Sequence, residues 1–352
     1  MKPITSWLNM TPQQFHEEVL PSARPAILPA YCRHWPAVQA GLDSNKRLRD
    51  TLLAYDAGVP FKLFVGPPDI KGRLFYNDDL SGLNFTSHQM PLTEFFDKLL
   101  AEADNPEPLT LYSGSIWATR NLPGFCESHS IGALLPATTS PLMTTWIGNR
   151  AIVAAHMDHT SSLACGIAGR RRFTLFPPDQ IANLYMGPVE STPAGQPVCM
   201  VDLLNPDFAR YPRLVEAFEA AETAELEPGD VLFVPALWWH QVESLSAVNF
   251  MLNYRWRDGP EFLDPPANAL MAALIGIRDL PAEQRAGWRA IFDHLIFQTE
   301  GPPYQHLPES QSGLYGNPLT PNAALGVKAM LADAYAPAKE QMKRREDART
   351  SR

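Results

Sequence analysis

The sequence predicts a mainly β protein, a sandwich or barrel of short strands followed by a helical C-terminal region. Three observations carry this. From about Thr110 to Trp256 the chain is built of short β-branched and aromatic runs (TLYSG, MTTWIGN, RRFTLFPP, DVLFVPALWWH, VNFMLNYRW) punctuated by Pro and Gly. Proline, at 34 of 352 residues, is about double its usual share of roughly 5%. It avoids strand interiors and helix middles, so the excess disfavours coiled coils and simple bundles. After Trp256 the apolar spacing turns helical.

Taken in order, residues 11–20 read as a short helix, with Thr11 as N-cap, Pro12 at the first helical position and Phe15, Val19 and Leu20 on one side. ARPAILPAY reads as a strand closed by Trp35-Pro36, and LFVGPPDIKGRLFYNDDLSG has the alternation of strands and turns. Residues 91–103 form a clearer helix with Phe95, Leu99 and Leu100 on one face. Helical spacing returns at 265–277 (Leu270, Leu274, Ile277) and 281–297 (Trp288, Ile291, Phe292, Leu295), with Pro281 at a helix start. A Pro- and Gly-rich loop (301–321) leads to a last helix over about 321–345. Residues 1–260 are thus expected to form one β-rich domain with an N-terminal extension, and 261–352 a helical region.

Composition narrows the function classes. Hydrophobic residues at 45% suffice for a large core, and charged residues at 19% exclude a disordered, charge-rich chain. A net charge of −9 argues against a general nucleic-acid binder. Cys32, Cys126, Cys165 and Cys199 are far apart, form no CxxC pair and read as reduced thiols. The N-terminus lacks a signal-peptide core, and the longest uncharged stretch, Ser128 to Asn149, is broken by Pro136 and Pro141. A soluble, cytoplasmic protein with no membrane contact is expected.

The chemistry concentrates at His156, Asp158 and His240. His156-x-Asp158 ends a strand-like run, so both side chains project to one face. His240 ends another, behind the Glu227-Pro228-Gly229-Asp230 turn and the run VLFVP. Two histidines and one carboxylate on one face of a metal leave positions open opposite, the arrangement of non-haem Fe(II) oxygenases. A bare HxD has little specificity; the turn, strand and terminal histidine supply the context. His159 reads as an outer or solvent-facing group. Trp117, Trp146, Trp238 and Trp239 read as core residues or as walls of a substrate pocket.

The block GNRAIVAAHMDHTSSLACGIAGRRRFTLFPPDQIANLYMGPVES, then DLLNPDFARYPRL and ELEPGDVLFVPALWWHQVESL, resembles the Jumonji C-type, cupin-like oxygenases dependent on Fe(II) and 2-oxoglutarate. Within them it is similar to the branch containing the asparaginyl hydroxylase that inhibits hypoxia-inducible factor. The resemblance spans roughly Leu111 to Trp256 and extends upstream through Pro25-Ala26-Ile27-Leu28, Trp35-Pro36 and Phe75-Tyr76-Asn77-Asp78. It implies a double-stranded β-helix, a jelly roll with metal and cosubstrate in its mouth. It also implies hydroxylation of a C–H bond by Fe(II) held by His156, Asp158 and His240, with O2 and 2-oxoglutarate consumed and succinate and CO2 released.

By the same resemblance Arg171, where relatives carry lysine, holds the distal carboxylate of 2-oxoglutarate, with Tyr112 and Asn253 beside the cosubstrate. Strand alternation turns Arg170 and Arg172 the other way. Arg255 is a second candidate for the clamp. Val153 and Ser162 depart from the family's threonine and asparagine. They favour the alternative of a cupin metalloenzyme that does not use 2-oxoglutarate; a non-catalytic binding protein of the same fold is the third reading. The C-terminal helices resemble the region through which relatives form homodimers. Substrates handled by such folds include protein side chains, peptides, nucleosides and small molecules; the acidic chain makes nucleic acid an unfavoured partner.

Overall fold

A computed structural model describes residues 1–136, 139–308, 313–315 and 319–350. Part of the 301–321 loop therefore lies outside the described residues. The chain folds into two compact units, Met1–Asp258 and Gly259–Arg352.

The strands of the first unit are β1 (Lys2–Pro3), β2 (Thr5–Ser6), β3 (Ala26–Leu28), β4 (Phe61–Gly66), β5 (Arg73–Leu74), β6 (Thr86–Met90), β7 (Thr110–Trp117), β8 (Leu142–Gly148), β9 (Ile152–Met157), β10 (Ser161–Ala168), β11 (Arg171–Phe176), β12 (Glu222–Leu226), β13 (Val231–Val234), β14 (Trp239–Ser244) and β15 (Asn249–Trp256). They form a six-stranded sheet, β1-β12-β11-β14-β9-β5, and a nine-stranded sheet, β2-β3-β13-β10-β15-β8-β7-β4-β6. From β8 to β15 each strand lies in the sheet opposite its predecessor, except that β11 and β12 pair within the smaller sheet, as in a double-stranded β-helix.

Period-two alternation explains how one sequence fills both faces of the larger sheet. On β10 and β15, Leu163, Cys165, Ile167, Phe250, Leu252 and Tyr254 join one apolar cluster with Phe15, Trp35, Leu48 and Phe95 from the N-terminal helices. The alternate residues Ala164 and Met251 join a second cluster with Phe173, Leu175, Leu226 and Trp238, between the sheets. The central strands β10 and β15 are thus buried on both faces, which is why they read as continuous apolar runs. Trp239, by contrast, packs on the outer face of the smaller sheet with Phe176, Leu184 and Leu214.

The first helical segment starts where expected. Thr11 Oγ1 accepts from Gln14 N at 3.2 Å, and Gln14 Oε1 from Thr11 N at 3.2 Å, a capping box. It continues as a π-helical turn, Phe15–Val19, and ends at Ser22. The later helix runs Leu92–Ala101 and buries Phe95, Phe96 and Leu99, with Leu100 only half-buried. Pro36–Asp43 and Asn45–Leu53 are helices that the strand reading of this region passes over. Pro36 opens the first, and Ser44 caps the second by accepting from Arg47 N at 3.2 Å. The Glu227–Asp230 turn needs its glycine: Gly229 has φ +102°, and a Cβ there would lie 2.9 Å from Arg33 Cα.

The second unit contains helices Pro266–Gly276, Ala282–Leu295 and Pro321–Thr350. The first two bury no residue among those described. No described helix is long and apolar enough to cross a membrane.

Candidate metal centre and its cavity

His156 and His240 are directly opposite each other on β9 and β14, a cross-strand pair whose ring centroids are 4.5 Å apart. Register thus brings together residues far apart in sequence. Asp158 follows the end of β9, where its carbonyl accepts from Leu237 N at 2.8 Å, tying its loop to the turn before β14. One ligand atom from each of His156, Asp158 and His240 lies within 4.8 Å of the others, the one such metal-compatible group among the described residues. His159 is half-buried and outside this group.

Hydrogen bonding fixes the histidine tautomers. His156 Nδ1 contacts the Ala154 carbonyl at 2.9 Å, and His240 Nδ1 the Trp238 carbonyl at 3.0 Å. A carbonyl can only accept, so both Nδ1 atoms carry hydrogen and both Nε2 lone pairs remain free for a metal. Burial, then the neighbouring His156, depresses the His240 imidazole to about 4, keeping it unprotonated at neutral pH. Burial alone would raise Asp158; the two histidines and Arg255 outweigh it and hold the carboxyl below its usual range. Arg255 Nη2 meets Asp158 Oδ1 at 2.8 Å, while Asp158 Oδ2 lies 3.8 Å from His240 Nε2.

The three neighbouring arginines separate as strand alternation requires. Arg172 points outward to its cross-strand neighbours Glu225 (2.6 Å) and Glu243 (3.4 Å), and Arg170 reaches Glu225 at 3.4 Å. Arg171 points inward and is only 3% exposed. Its Nη2 donates to the Trp146 carbonyl at 3.1 Å, and its Nη1 is buried without a partner. Among the described residues no carboxylate pairs with it. Burial lowers its pKa to about 10, partly offset by nearby Tyr112. A buried guanidinium without an acid is costly unless something anionic joins it.

Asn253 lies on the inner face of β15, opposite Thr144 of β8. Its Oδ1, with Thr144 Oγ1 and Trp146 Nε1, is also buried and unpartnered. The interior therefore holds a set of polar atoms that only a ligand or water can satisfy. Tyr112 is buried, its hydroxyl pushed well up by burial. Gly148 makes room for it: a Cβ there would meet Tyr112 Cδ2 at 2.9 Å and the Leu111 carbonyl at 2.6 Å.

A cavity of about 550 Å³ opens on the centre, with His156, Asp158, Arg255, Tyr112, Trp146 and Val153 in its wall. His240, Arg171 and Asn253 are buried beyond that wall. Val153 presents no hydroxyl, and Ser162 lies opposite Arg255 on the inner face. Of the four tryptophans, Trp146 lines the cavity, Trp238 and Trp239 are core, and Trp117 is exposed. The outer rim includes Lys62, Phe64, Phe85 and Thr192–Gln196, which sequence reasoning missed. These segments are remote from the triad in sequence: strand order brings the first three near it, and the bridge between Val198 and His156 brings the loop.

Comparison with known proteins agrees with this geometry. HSPB1-associated protein 1 of Homo sapiens is 36% identical over 125 residues, covering 34% of this chain and 24% of that protein. The human bifunctional peptidase and (3S)-lysyl hydroxylase JMJD7 is 28% identical over 268 residues, covering 68% of this chain and 80% of the relative. tRNA wybutosine-synthesizing protein 5 of Danio rerio is 29% identical over 142 residues, covering 40% of this chain and 37% of the relative. The chain thus spans about a quarter of the length of the first of these. The cupin-like domain family matches residues 12–262, well over half the chain and including the whole triad, and the chain belongs to that family.

Proposed function

We propose that this protein is a non-haem Fe(II)- and 2-oxoglutarate-dependent dioxygenase that hydroxylates a C–H bond of a protein side chain, peptide or small molecule. The observation that carries the reading is a pairing inside one barrel. Two free imidazole Nε2 atoms and a carboxylate come within 4.8 Å of one another, and on β11, beside the strand that carries His240, Arg171 is buried with no acid partner among the described residues. His156, Asp158 and His240 would hold the iron, and Arg171 the distal carboxylate of 2-oxoglutarate, with Tyr112 and Asn253 beside it. When bound, iron and cosubstrate supply the oxidising power: one oxygen atom of O2 goes to the substrate and the other to succinate, with CO2 released. The chain's own residues orient the ligands. The two backbone carbonyls fix the histidine tautomers, Arg255 holds one oxygen of Asp158, and the apolar wall excludes water. The names of the lysyl hydroxylase and HSPB1-associated relatives support a protein or peptide as substrate class.

Anaerobic titration of the apoprotein with Fe(II) and then 2-oxoglutarate tests the reading through the weak visible charge-transfer band of the chelate. The band is expected in the native protein and lost in Arg171→Ala. Iron binding without it would instead assign a cupin metalloenzyme that does not use 2-oxoglutarate, and no iron binding would leave a binding protein. Persistence of the band in Arg171→Ala and its loss in Arg255→Ala would move the clamp to Arg255.

We further propose a homodimer through the C-terminal helices. Ile275, Leu270 and Ile291 are 78%, 54% and 44% exposed, and apolar side chains left open on neighbouring helices mark an interaction surface. Light scattering of the full chain and of Ile275→Glu tests it, and a monomeric native chain would end it. Acidic charge and four free, buried cysteines suit the cytoplasm, which subcellular fractionation checks.

A further inference from the structure

We infer that the cavity selects a substrate carrying a carboxylate on a short apolar stem; this rests on the proposed oxygenase reading and names its substrate class. The charged residues of the wall are Lys62, Asp158 and Arg255. The one acid among them is the candidate metal ligand, and Arg255 already holds its Oδ1 at 2.8 Å. Arg255 Nε is engaged as well, donating to Thr160 Oγ1 at 3.3 Å. Two partners pin the guanidinium against the cavity and leave Nη1 to serve a ligand. Lys62 is exposed at the rim, its Nζ 5.0 Å from the Phe64 ring centroid.

The charge balance stays positive when the centre is loaded. A divalent metal, Arg171, Arg255 and Lys62 stand against Asp158 and the two carboxylates of the cosubstrate. An ammonium-bearing side chain entering this space meets like charge on two sides, whereas a carboxylate meets Lys62 at the rim and Arg255 beside the metal. The rest of the wall is largely apolar, with Phe64, Leu74, Phe85, Ile116 and Val153, and so accepts a stem whose C–H bonds face the centre. That wall and the net charge of −9 disfavour a polyanion such as a nucleic acid. The carboxylate can come from an acidic residue of a peptide or from a free organic acid.

Calorimetry on the full chain, loaded with Zn(II) and saturating 2-oxoglutarate so that no turnover occurs, distinguishes these cases. The probes are an acetylated Ala-Leu-X-Leu-Ala amide with X as Glu, Gln or Lys, and hexanoate, hexanamide and hexylamine. At least one acid is expected to bind about tenfold tighter than its neutral counterpart, with the cationic probe weakest. Lys62→Glu, a rim change, is expected to reduce that preference to about twofold or less. Preference for the Glu peptide identifies a peptide source, and preference for hexanoate alone a free acid. Equal binding of the three charge types, preference for Lys or amine, or no binding of either acid overturns the inference. So does an unaltered preference in Lys62→Glu. The titration of 2-oxoglutarate that precedes each run reports on the oxygenase reading separately. If cosubstrate does not bind, that reading fails, and the probes on the Zn(II)-only protein still decide the charge preference.

Discussion

The two faces of the nine-stranded sheet are both buried at its central strands β10 and β15, yet they are finished differently. Under the N-terminal helices, the buried histidine is fully partnered. His129 Nδ1 donates to the Phe125 carbonyl at 2.7 Å, its Nε2 accepts from Ala37 N at 3.0 Å, and its carbonyl accepts from the Tyr254 hydroxyl. The atoms left over near that face are the small hydroxyls of Ser113 and Thr145. Inside the barrel the leftovers include an arginine nitrogen, an asparagine oxygen and an indole N–H as well as the Thr144 hydroxyl. One face is built for stability, and the other holds polar groups at a cost that a bound ligand would offset.

The largest expected effect breaks the barrel face while sparing the helix face. His156→Ala removes one Nε2 from the triad and is expected to weaken metal binding more than about a hundredfold, since even outer-shell changes cost 10–100-fold. Far-UV circular dichroism should be unchanged. Metal affinity within threefold of the native protein would mean that the triad is not the metal site.

Arg171→Met sharpens the comparison, because stability and function are expected to move in opposite directions. It replaces an unpaired buried charge with an apolar chain of similar reach. The apoprotein should gain about 2 kcal/mol in urea unfolding while 2-oxoglutarate binding is lost. A loss of stability would show that Arg171 is a structural group rather than a ligand clamp. Gly229→Ala acts where the turn before β13 presses on Arg33. Positive φ and the 2.9 Å contact together should cost about 2 kcal/mol, read as a lower unfolding midpoint with the metal site intact.

Each face holds a histidine whose lowered pKa ties stability to pH, and on the helix face it is His129. Burial lowers the His129 pKa below its ordinary value, and the bond from Ala37 needs the neutral ring. The unfolded chain therefore takes up a proton first, and the stability conferred by neutral His129 is lost as pH falls below about 6.5 toward the folded value. Urea midpoints at about pH 7.5 and 5.5 measure this. The fall should be shallower in His129→Gln, and an unchanged slope would place the titration elsewhere.

Much of the barrel face was legible in the sequence because it obeys short-range rules. The HxD at a strand end, the Pro-Gly turn before VLFVP and the terminal histidine locate the triad, and period two separates Arg171 from its neighbours. The contact of Arg255 with Asp158 was not legible. It depends on β15 lying beside β10, with Ser162 opposite Arg255, a register set by the whole sheet. Lys62 reaches the rim through strand order alone. The helix face was less legible still. Trp35-Pro36 reads equally as the end of a strand and as a helix start, and Asn45–Leu53 is mostly polar, with Leu48 and Leu52 as its buried anchors. That the Trp238-Trp239 pair splits between two cores follows from strand alternation, but which core each meets needs the second sheet.

The smallest expected effect concerns Arg172, one residue from Arg171 and on the opposite face of β11. Its ion pairs with Glu225 and Glu243 form across the strand ladder, but its side chain is 41% exposed. Exposed pairs are screened by water and salt, so Arg172→Ala should cost about 0.5 kcal/mol, less at high ionic strength, and leave 2-oxoglutarate binding unchanged. Two arginines adjacent in sequence would then differ in sign as well as size: removing the paired, solvated one destabilises slightly, and removing the buried, unpaired one stabilises. If Arg172→Ala weakened cosubstrate binding as much as Arg171→Met, the alternation of β11 would not be what assigns the clamp. The cationic run as a whole would be acting, and the distinction between the faces of that strand would carry no functional meaning.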